Sequence, residues 1–590
     1  MILTFWDVVI FVGFLALVVG VSLYASRKEK TGGAAYFLAG RSLTWPLIGF
    51  SLIASNISTE HFVGMAGTGF GELGLAIASY EWIAAVALVV LAWWLLPRFL
   101  QAGIYTMPEY LEYRYDGTTR TIMSVFLMTL TVLALLVTVL YSGARGLDGV
   151  FGFSAMLAER FDMSPQAAMF WTTWAGAWLI GIIAAAYTVY GGLRAVVWSD
   201  LLQGAAMLIG GAIVLFLGLK LIGGGELTDF GVSGGSVFEG WSTFSEENAD
   251  RLHVGRPLDD PHIPWIALFT GMLIPNLFYW GMNQFITQRA LGARTLAEGQ
   301  KGIFLACGFK LIMPFIIVVP GIIAFQLYGD VILERAGGDM ARAGEMAYPH
   351  LIAQIMPPFL RGVMLAALAG AVMSTFNSGI NSAATMYTVD IHNKFINPEA
   401  SASGERNVFV GRTATAVIAL VACVMAPLPG LFHGVFHYIQ EVWGFISPGI
   451  VAVFFFGLIV PKAPVIAGKI SLIIGPAIYA ICRVPGWIMS AMGFGYGENG
   501  GVVRVVGDAP QAVEGFAALV FRFTQMPYLH HMFLTLVIVV IVMTILTARN
   551  PLSEPRTMPV SDVNVEPHPR QYLYGGLILA AVVALYIIFW

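Results

Sequence analysis

The chain has 590 residues, 58% of them hydrophobic and 11% charged, with a mean hydropathy of +0.77 and a net charge of −4. A soluble globular protein carries about 25% charged residues, so an ordinary soluble enzyme and a disordered chain are both excluded. Apolar runs near membrane length recur along almost the whole sequence, which reads as an all-α polytopic membrane protein, and the mild charge argues against nucleic acid as a partner.

The first apolar run begins near Asp7 and is followed by Arg27, Lys28 and Lys30. A secretory signal peptide carries its positive charge before the apolar stretch, not after it. The start is therefore expected outside and the first loop inside. About fourteen spans are predicted, over 5–25, 43–70, 75–97, 121–147, 167–190, 195–222, 263–287, 303–327, 351–386, 407–427, 435–460, 463–482, 529–547 and 572–590. The loops this places inside hold Arg27, Lys28, Lys30, Arg41, Arg98, Arg114, Arg120, Arg194, Arg289, Arg294 and Lys301. Farther along they hold Lys394, Arg406, Arg412, Lys462, Lys469, Arg549, Arg556 and Arg570. That bias predicts both termini outside. Lys310 alone is left within a span.

Three polar segments interrupt the pattern, at Gly223–His262, Tyr328–Pro349 and about Arg483–Tyr528. The first is Gly-rich and acidic and reads as a solvated outer loop. No nucleotide-binding G-x-x-x-x-G-K-[ST] is present, since Gly468-Lys469 is followed by Ile470. No H-E-x-x-H occurs, and His433 and His437 read as part of a short outer connection. Cys307, Cys423 and Cys482 lie in apolar segments and form no disulfide or metal pattern. With no nucleophile–base or metal constellation, the chain is not expected to be an enzyme. An organic cofactor and an obligate protein partner are not expected either.

Polar groups inside a span need partners, so they mark packing or function. The second span carries Ser55-Asn56-Ile57-Ser58-Thr59-Glu60-His61 in the middle of apolar sequence. Small polar side chains offer the backbone alternatives to helical hydrogen bonds. Unwound chain at membrane depth is tolerated only where it lines a cavity. The seventh span carries Pro275, which deletes a backbone donor, within Gly271–Gln284. Two interrupted spans five crossings apart point to an inverted-repeat transporter. Residues 43–222 then form the first five-helix repeat and 263–460 the second, with 223–262 as outer loop. Residues 1–42 (first helix and inner loop) and 461–590 (three helices) are peripheral. The ninth span carries hydroxyls at Ser374, Thr375 and Ser378 within about one turn. A hard monovalent cation prefers neutral oxygens, carbonyls and hydroxyls, so spans two and nine are expected to build a sodium cage together.

At these residues the chain resembles the sodium/solute symporter family, and within it the sodium–sugar cotransporters, the bacterial sodium/galactose symporters most of all. The resemblance is carried by S-L-I-A-S-N-I-S at 51–58, A-I-A-S-Y-E-W at 76–82 and Y-G-G-L-R-A-V-V-W-S-D at 190–200. It continues through N-L-F-Y-W-G-M-N-Q at 276–284, K-L-I-M-P-F at 310–315 and Y-I-Q-E at 438–441. It implies a five-plus-five inverted-repeat (LeuT-like) core and alternating access, in the cell membrane, bacterial inner membrane by its nearest members. It implies sodium on the carbonyls of Ala54, Ile57 and Ala371 and the hydroxyls of Ser374 and Thr375. Sugar contacts are implied at His61, Glu81, Asn276, Lys310 and Gln440, and an inner gate at Tyr279 beside Trp280. Asp200 and Ser378, with Asn377 beside them, match a second sodium group of some relatives, unless Asp200 pairs instead with Arg194. His61 stands where the bacterial galactose symporters carry Gln and the animal cotransporters His, and Ala84 stands where a sugar-contacting Ser is expected. The implied partners are sodium, a neutral sugar and the bilayer. Other solutes that the same scaffold admits are inositol, a sugar acid, sialic acid and proline.

Overall fold

A computed structural model describes residues 4–27, 33–397, 404–431, 435–497, 500–506 and 509–590. His433 lies outside the described residues. Among these residues, eleven helices are long and apolar enough to cross a bilayer, and a bent pair makes twelve. Two further features bear on the expected fourteen. Helix Pro165–Ile222 has 58 residues, about 87 Å at 1.5 Å per residue, nearly three times the hydrocarbon thickness. It turns at Gly192, whose φ of 53° and ψ of −148° are non-helical. A Cβ there would lie 2.4 Å from the Tyr36 carbonyl oxygen, so glycine is needed both for the backbone angle and for the close approach. The second span is broken, so neither half alone has membrane length.

The elements that carry the argument are α1 (Phe5–Ser26), α2 (Trp45–Asn56), α3 (Ser79–Val90), α4 (Pro165–Ile222), α5 (Leu273–Gly281) and α6 (Gln284–Leu291). They continue with α7 (Leu296–Arg335), α8 (Leu360–Met386), α9 (Val435–Ile459) and α10 (Gln571–Phe589). Helix α2 packs between α4 and α7, and α8 packs along α4. The predicted polar segments are less irregular than loops. Gly223–His262 contains an antiparallel hairpin, Gly225–Thr228 with Gly231–Gly234, and a helix at Val237–Glu247. The stretch before Tyr528 holds a three-stranded antiparallel sheet. Helix α7 runs past its expected end to Arg335, and a separate helix fills Met340–Ile355, so α8 starts at Leu360 rather than at 351. Pro357 and Pro358 between them stop one helix from continuing into the other.

The first helix is peripheral but anchored. Asp7 closes a capping box with Thr4 at the start of α1. The same carboxylate accepts from the amides of Phe359 (2.9 Å) and Gly362 (3.1 Å), capping α8. Deeper in, α7 meets the second half of span two without a spacer. A Cβ on Gly321 would lie 2.0 Å from the Ala66 carbonyl oxygen, whereas one on Gly308 meets nothing within 4 Å. Gly321→Ala is therefore expected to lower stability by about 1–3 kcal/mol through overpacking. Gly308→Ala, on the same helix, should be neutral or slightly stabilising. Thermal unfolding of the two variants in detergent checks this.

Candidate functional site

Span two ends its first helix at Asn56. The last helical backbone bond of α2 runs from the Ile57 amide to the Ile53 carbonyl at 2.8 Å, and Ile57 is extended (φ −75°, ψ 116°). The Ser58 amide turns instead to His61 Nδ1 at 3.4 Å. Helix resumes as a π turn over Glu60–Met65. The polar run thus breaks the span where the residue types predicted it. Span seven breaks twice. The turn before Pro275 is lost at Thr270–Met272, where the proline supplies no backbone donor. A larger bend of 51° separates Trp265–Gly281 from α6 at Met282–Asn283, where the Asn283 side chain caps α6 by accepting from the Phe285 amide.

The break in span two, at Asn56 and Ser58, and Pro275 of span seven line one cavity of about 80 Å³. His61, Glu81, Asn276, Lys310 and Gln440 all line it, together with Tyr279, Trp280 and Thr375. The volume holds about two or three waters, so the lining side chains must part for a larger solute. Several of them already satisfy one another. Lys310 Nζ donates to Glu81 Oε2 at 2.5 Å and to Asn56 Oδ1, and lies 4.9 Å above the Trp280 ring centroid. His61 Nε2 is 3.7 Å from Glu81 Oε1. The Asn276 amide donates to the Met272 carbonyl in the broken turn, at 2.9 Å. A buried charge is stable only when paired and hydrogen-bonded, and Glu81 with Lys310 meets that condition. Tyr279 accepts from Asn56 Nδ2 at 3.1 Å and packs edge-on against Trp280 and Phe285.

A wide vestibule of about 1200 Å³ leads toward this cavity from the side carrying Arg256–Ile263 and Met340–Arg361, and the two spaces share Glu60 and Tyr80. Tyr279 lines the cavity but not the vestibule. The last helix, although peripheral, buttresses the site. Tyr586 and Phe589 of α10 pack their rings 5.5 and 6.1 Å from Trp82, the neighbour of Glu81.

Beside the cavity, α2 and α8 are joined by hydroxyls. Thr375 Oγ1 donates to the Ser55 carbonyl at 2.9 Å, and Ser374 Oγ donates to Asp200 Oδ1 at 2.5 Å. A hydroxyl has one hydrogen and two lone pairs. Both hydroxyls thus spend the hydrogen on an acceptor and keep their lone pairs. Ala54, Ile57, Ala371 and Ser374 are fully buried and Thr375 nearly so. Thr375 belongs to both groups, since it also lines the cavity.

Asp200 does not pair with Arg194. Its carboxylate accepts from Ser51 (2.5 Å), Ser55 (3.2 Å) and Ser374, and Arg289 Nη2 lies 4.0 Å away. Ser378 joins this cluster through Ser55 Oγ at 2.9 Å, but Asn377 turns aside and donates to the Tyr187 hydroxyl. Arg289, assigned by sequence to an inner loop, is wholly buried. So is most of Arg120, which bonds Asp390 and Glu112. Positive charge near a span end does not by itself separate a topogenic arginine from a buried one. The i, i+4 spacing of Ser51 and Ser55 was the available signal for the serine cluster. Asn56 and Glu60 stood in the polar run of span two without a role of their own, and nothing local pointed to Arg289.

The sequence model of the sodium:solute symporter family matches residues 36–475. The chain belongs to the sodium:solute symporter family. It is 39% identical over 477 residues to a sodium/glucose cotransporter of Vibrio parahaemolyticus, covering 77% of this chain and 81% of that protein. It is 33% identical over 479 residues to sodium/glucose cotransporter 2 of Rattus norvegicus, covering 77% and 68%. Its fold matches that of a Na+-coupled sialic acid symporter solved in a substrate-bound outward-open state. The TM-score is 0.69 at 18% identity, over 94% of this chain and 99% of that one. This symporter is therefore a polytopic membrane protein that couples solute movement to sodium, with a LeuT-like transporter fold.

Proposed function

We propose that this symporter imports a neutral sugar of the glucose or galactose type together with sodium, by alternating access. The relatives named as glucose cotransporters support the sugar class. The observation that carries the reading is the convergence of His61, Glu81, Asn276, Lys310 and Gln440, from five separate helical segments, on one cavity that also contains Thr375. A hexose is uncharged, and each of its hydroxyls both donates and accepts. Glu81 accepts, Lys310 donates, and Asn276 and Gln440 do both. An ion pair that is neutral overall suits a polyol better than an anion or a zwitterion, which favours a sugar over sialic acid or proline.

Sodium is held by the carbonyls of Ala54, Ile57 and Ala371 and by the Ser374 and Thr375 hydroxyls, at the junction of α2 and α8. The vestibule is the outer mouth, Tyr279 with Trp280 is the inner gate, and both termini lie outside. Fourteen spans follow when α4 counts as two and each broken helix as one. The two five-helix repeats at 43–222 and 263–460 supply the rocking elements, in the bacterial inner membrane. No enzymatic step is assigned, and sodium is cargo rather than a resident cofactor.

One sodium moving inward through 100 mV supplies about 2.3 kcal/mol, and a tenfold gradient adds about 1.4 kcal/mol. The sum supports roughly a 500-fold sugar accumulation. The test is uptake of labelled glucose and galactose by liposomes holding the purified protein. Accumulation is expected with an inward sodium gradient and not with choline, and sialic acid and proline should fail to compete. Equal uptake in both salts would overturn the coupling, and competition by sialic acid or proline would overturn the sugar class. His61→Gln is expected to change the sugar KM by roughly two- to tenfold, the worth of one hydrogen bond. The apparent sodium affinity at saturating sugar should stay near the wild-type value, as parallel titrations of sugar and sodium would read out.

A further inference from the structure

Arg289 has no role in the reading above, yet it makes a dense set of buried contacts. It sits on α6, the short helix beyond the 51° bend of span seven. Its guanidinium crosses to three other elements. Nε donates to Ser51 Oγ of α2 at 3.2 Å, Nη2 donates to Ser378 Oγ of α8, and Nη2 stands 4.0 Å from Asp200 Oδ2 of α4. Nη1 donates to the Phe285 carbonyl of its own helix. Both Arg289 and Asp200 are wholly buried. A lone buried charge is costly, so each charge depends on the other remaining in place.

Asp200 is also the acceptor that orients Ser374, one of the proposed sodium ligands. One carboxylate therefore faces the sodium cage on one side and the lower half of the gate helix on the other. Tyr279 and Arg289 lie on the two sides of the same bend. Arg289 therefore ties the segment beyond that bend to α2, α4 and α8.

We propose that Arg289 is the positioning residue that couples sodium occupancy to the inner gate: a tethered cation that latches α6 onto Asp200, Ser51 and Ser378. The inference rests on the sodium-coupled reading given above. With the latch closed, the guanidinium takes up the lone pairs of Ser51 and Ser378 and neutralises Asp200. The group expected to hold a second sodium is thus filled by the protein's own cation. With the latch open, Asp200 is left as an anion beside the cage and draws sodium off Ser374 toward the inner side. Release of the ion and opening of the gate become one event.

The test uses the full chain in liposomes and reads sodium efflux in the absence of sugar, alongside sodium-driven glucose uptake. Arg289→Gln is expected to raise the sugar-free sodium leak at least about tenfold over wild type and to raise the sodium concentration for half-maximal uptake. Arg289→Lys, which keeps the charge, should restore most of both. Asp200→Asn should reproduce the leak, and the double variant should leak no more than either single variant. Ser378→Ala, a milder cut of the same contact, covers the case in which Arg289→Gln fails to fold, and should leak to an intermediate degree. A sugar-free leak at the wild-type level in both folded Arg289→Gln and Ser378→Ala would overturn the latch. If wild-type uptake is itself indifferent to sodium, the proposed function fails instead, and the two failures are distinguished in one series.

Discussion

Replacing Lys310 with alanine is expected to reduce sodium-driven sugar uptake by about 10- to 150-fold, the worth of a charge-assisted hydrogen bond at a buried site. The ammonium is held by Glu81 at 2.5 Å, by Asn56 and by the face of Trp280. Alanine therefore removes a donor to the solute and leaves the Glu81 carboxylate buried without its counter-charge. Breaking such a pair from one side costs about 3–5 kcal/mol, so the variant should also unfold at lower temperature. The two effects separate in the double variant Lys310→Met, Glu81→Gln. That variant restores charge balance and should recover stability while leaving uptake impaired. Thermal unfolding and uptake measured on the same preparations check both. Wild-type uptake in Lys310→Ala would remove Lys310 from the binding site.

Thr375→Ala carries the second large effect. It removes one oxygen from the proposed sodium cage and also the 2.9 Å bond that ties α8 to the Ser55 carbonyl beside the break in α2. The apparent sodium affinity is expected to fall by about 10- to 150-fold, on the scale of a hydrogen bond to a charged group. Thr375→Ser keeps the oxygen and should stay within about threefold of wild type. Ser374→Ala should weaken sodium similarly, with an added contribution from Asp200 losing a donor. Linkage requires that sugar affinity measured at low sodium fall as well, and recover at saturating sodium. Sodium titrations at fixed sugar, and the converse, check the reciprocity. A sodium response unchanged in both alanine variants would place the ion elsewhere.

The legible part of the site was the part written in residue types that break a rule. Six polar residues inside span two predicted the interruption, and the backbone does leave the helix at Ile57. Pro275 predicted a lost turn, and the turn is lost at Thr270–Met272. Glu81 and Lys310, both named as solute contacts, also form an ion pair across 229 positions of sequence. Other features were illegible for a common reason. Arg289 lies in a short amphiphilic segment next to Arg294, where an inner-loop arginine and a buried one have the same local sequence. The α6 bend at Met282–Asn283 follows from an asparagine cap, which looks in sequence like any polar residue at a span end. Asn377 looked like part of the Asp200 group from its place beside Ser378, but one residue along a helix is a 100° turn, and its side chain meets Tyr187 instead.

Composition and periodicity alone determined that this chain lives in a membrane, because 11% charge and repeated apolar runs leave no soluble alternative. They also located the broken helices, because a run of small polar groups, or a proline, competes with or removes helical backbone bonds, although α7 stays helical through Pro314 and Pro320. Only the tertiary structure decided which buried charges meet and which hydroxyls keep their lone pairs. It also decided that Arg289 faces Asp200, and that the cavity meets the vestibule at Glu60 and Tyr80. Those are relations between helices, set by crossing geometry and packing, and no stretch of a single helix contains them.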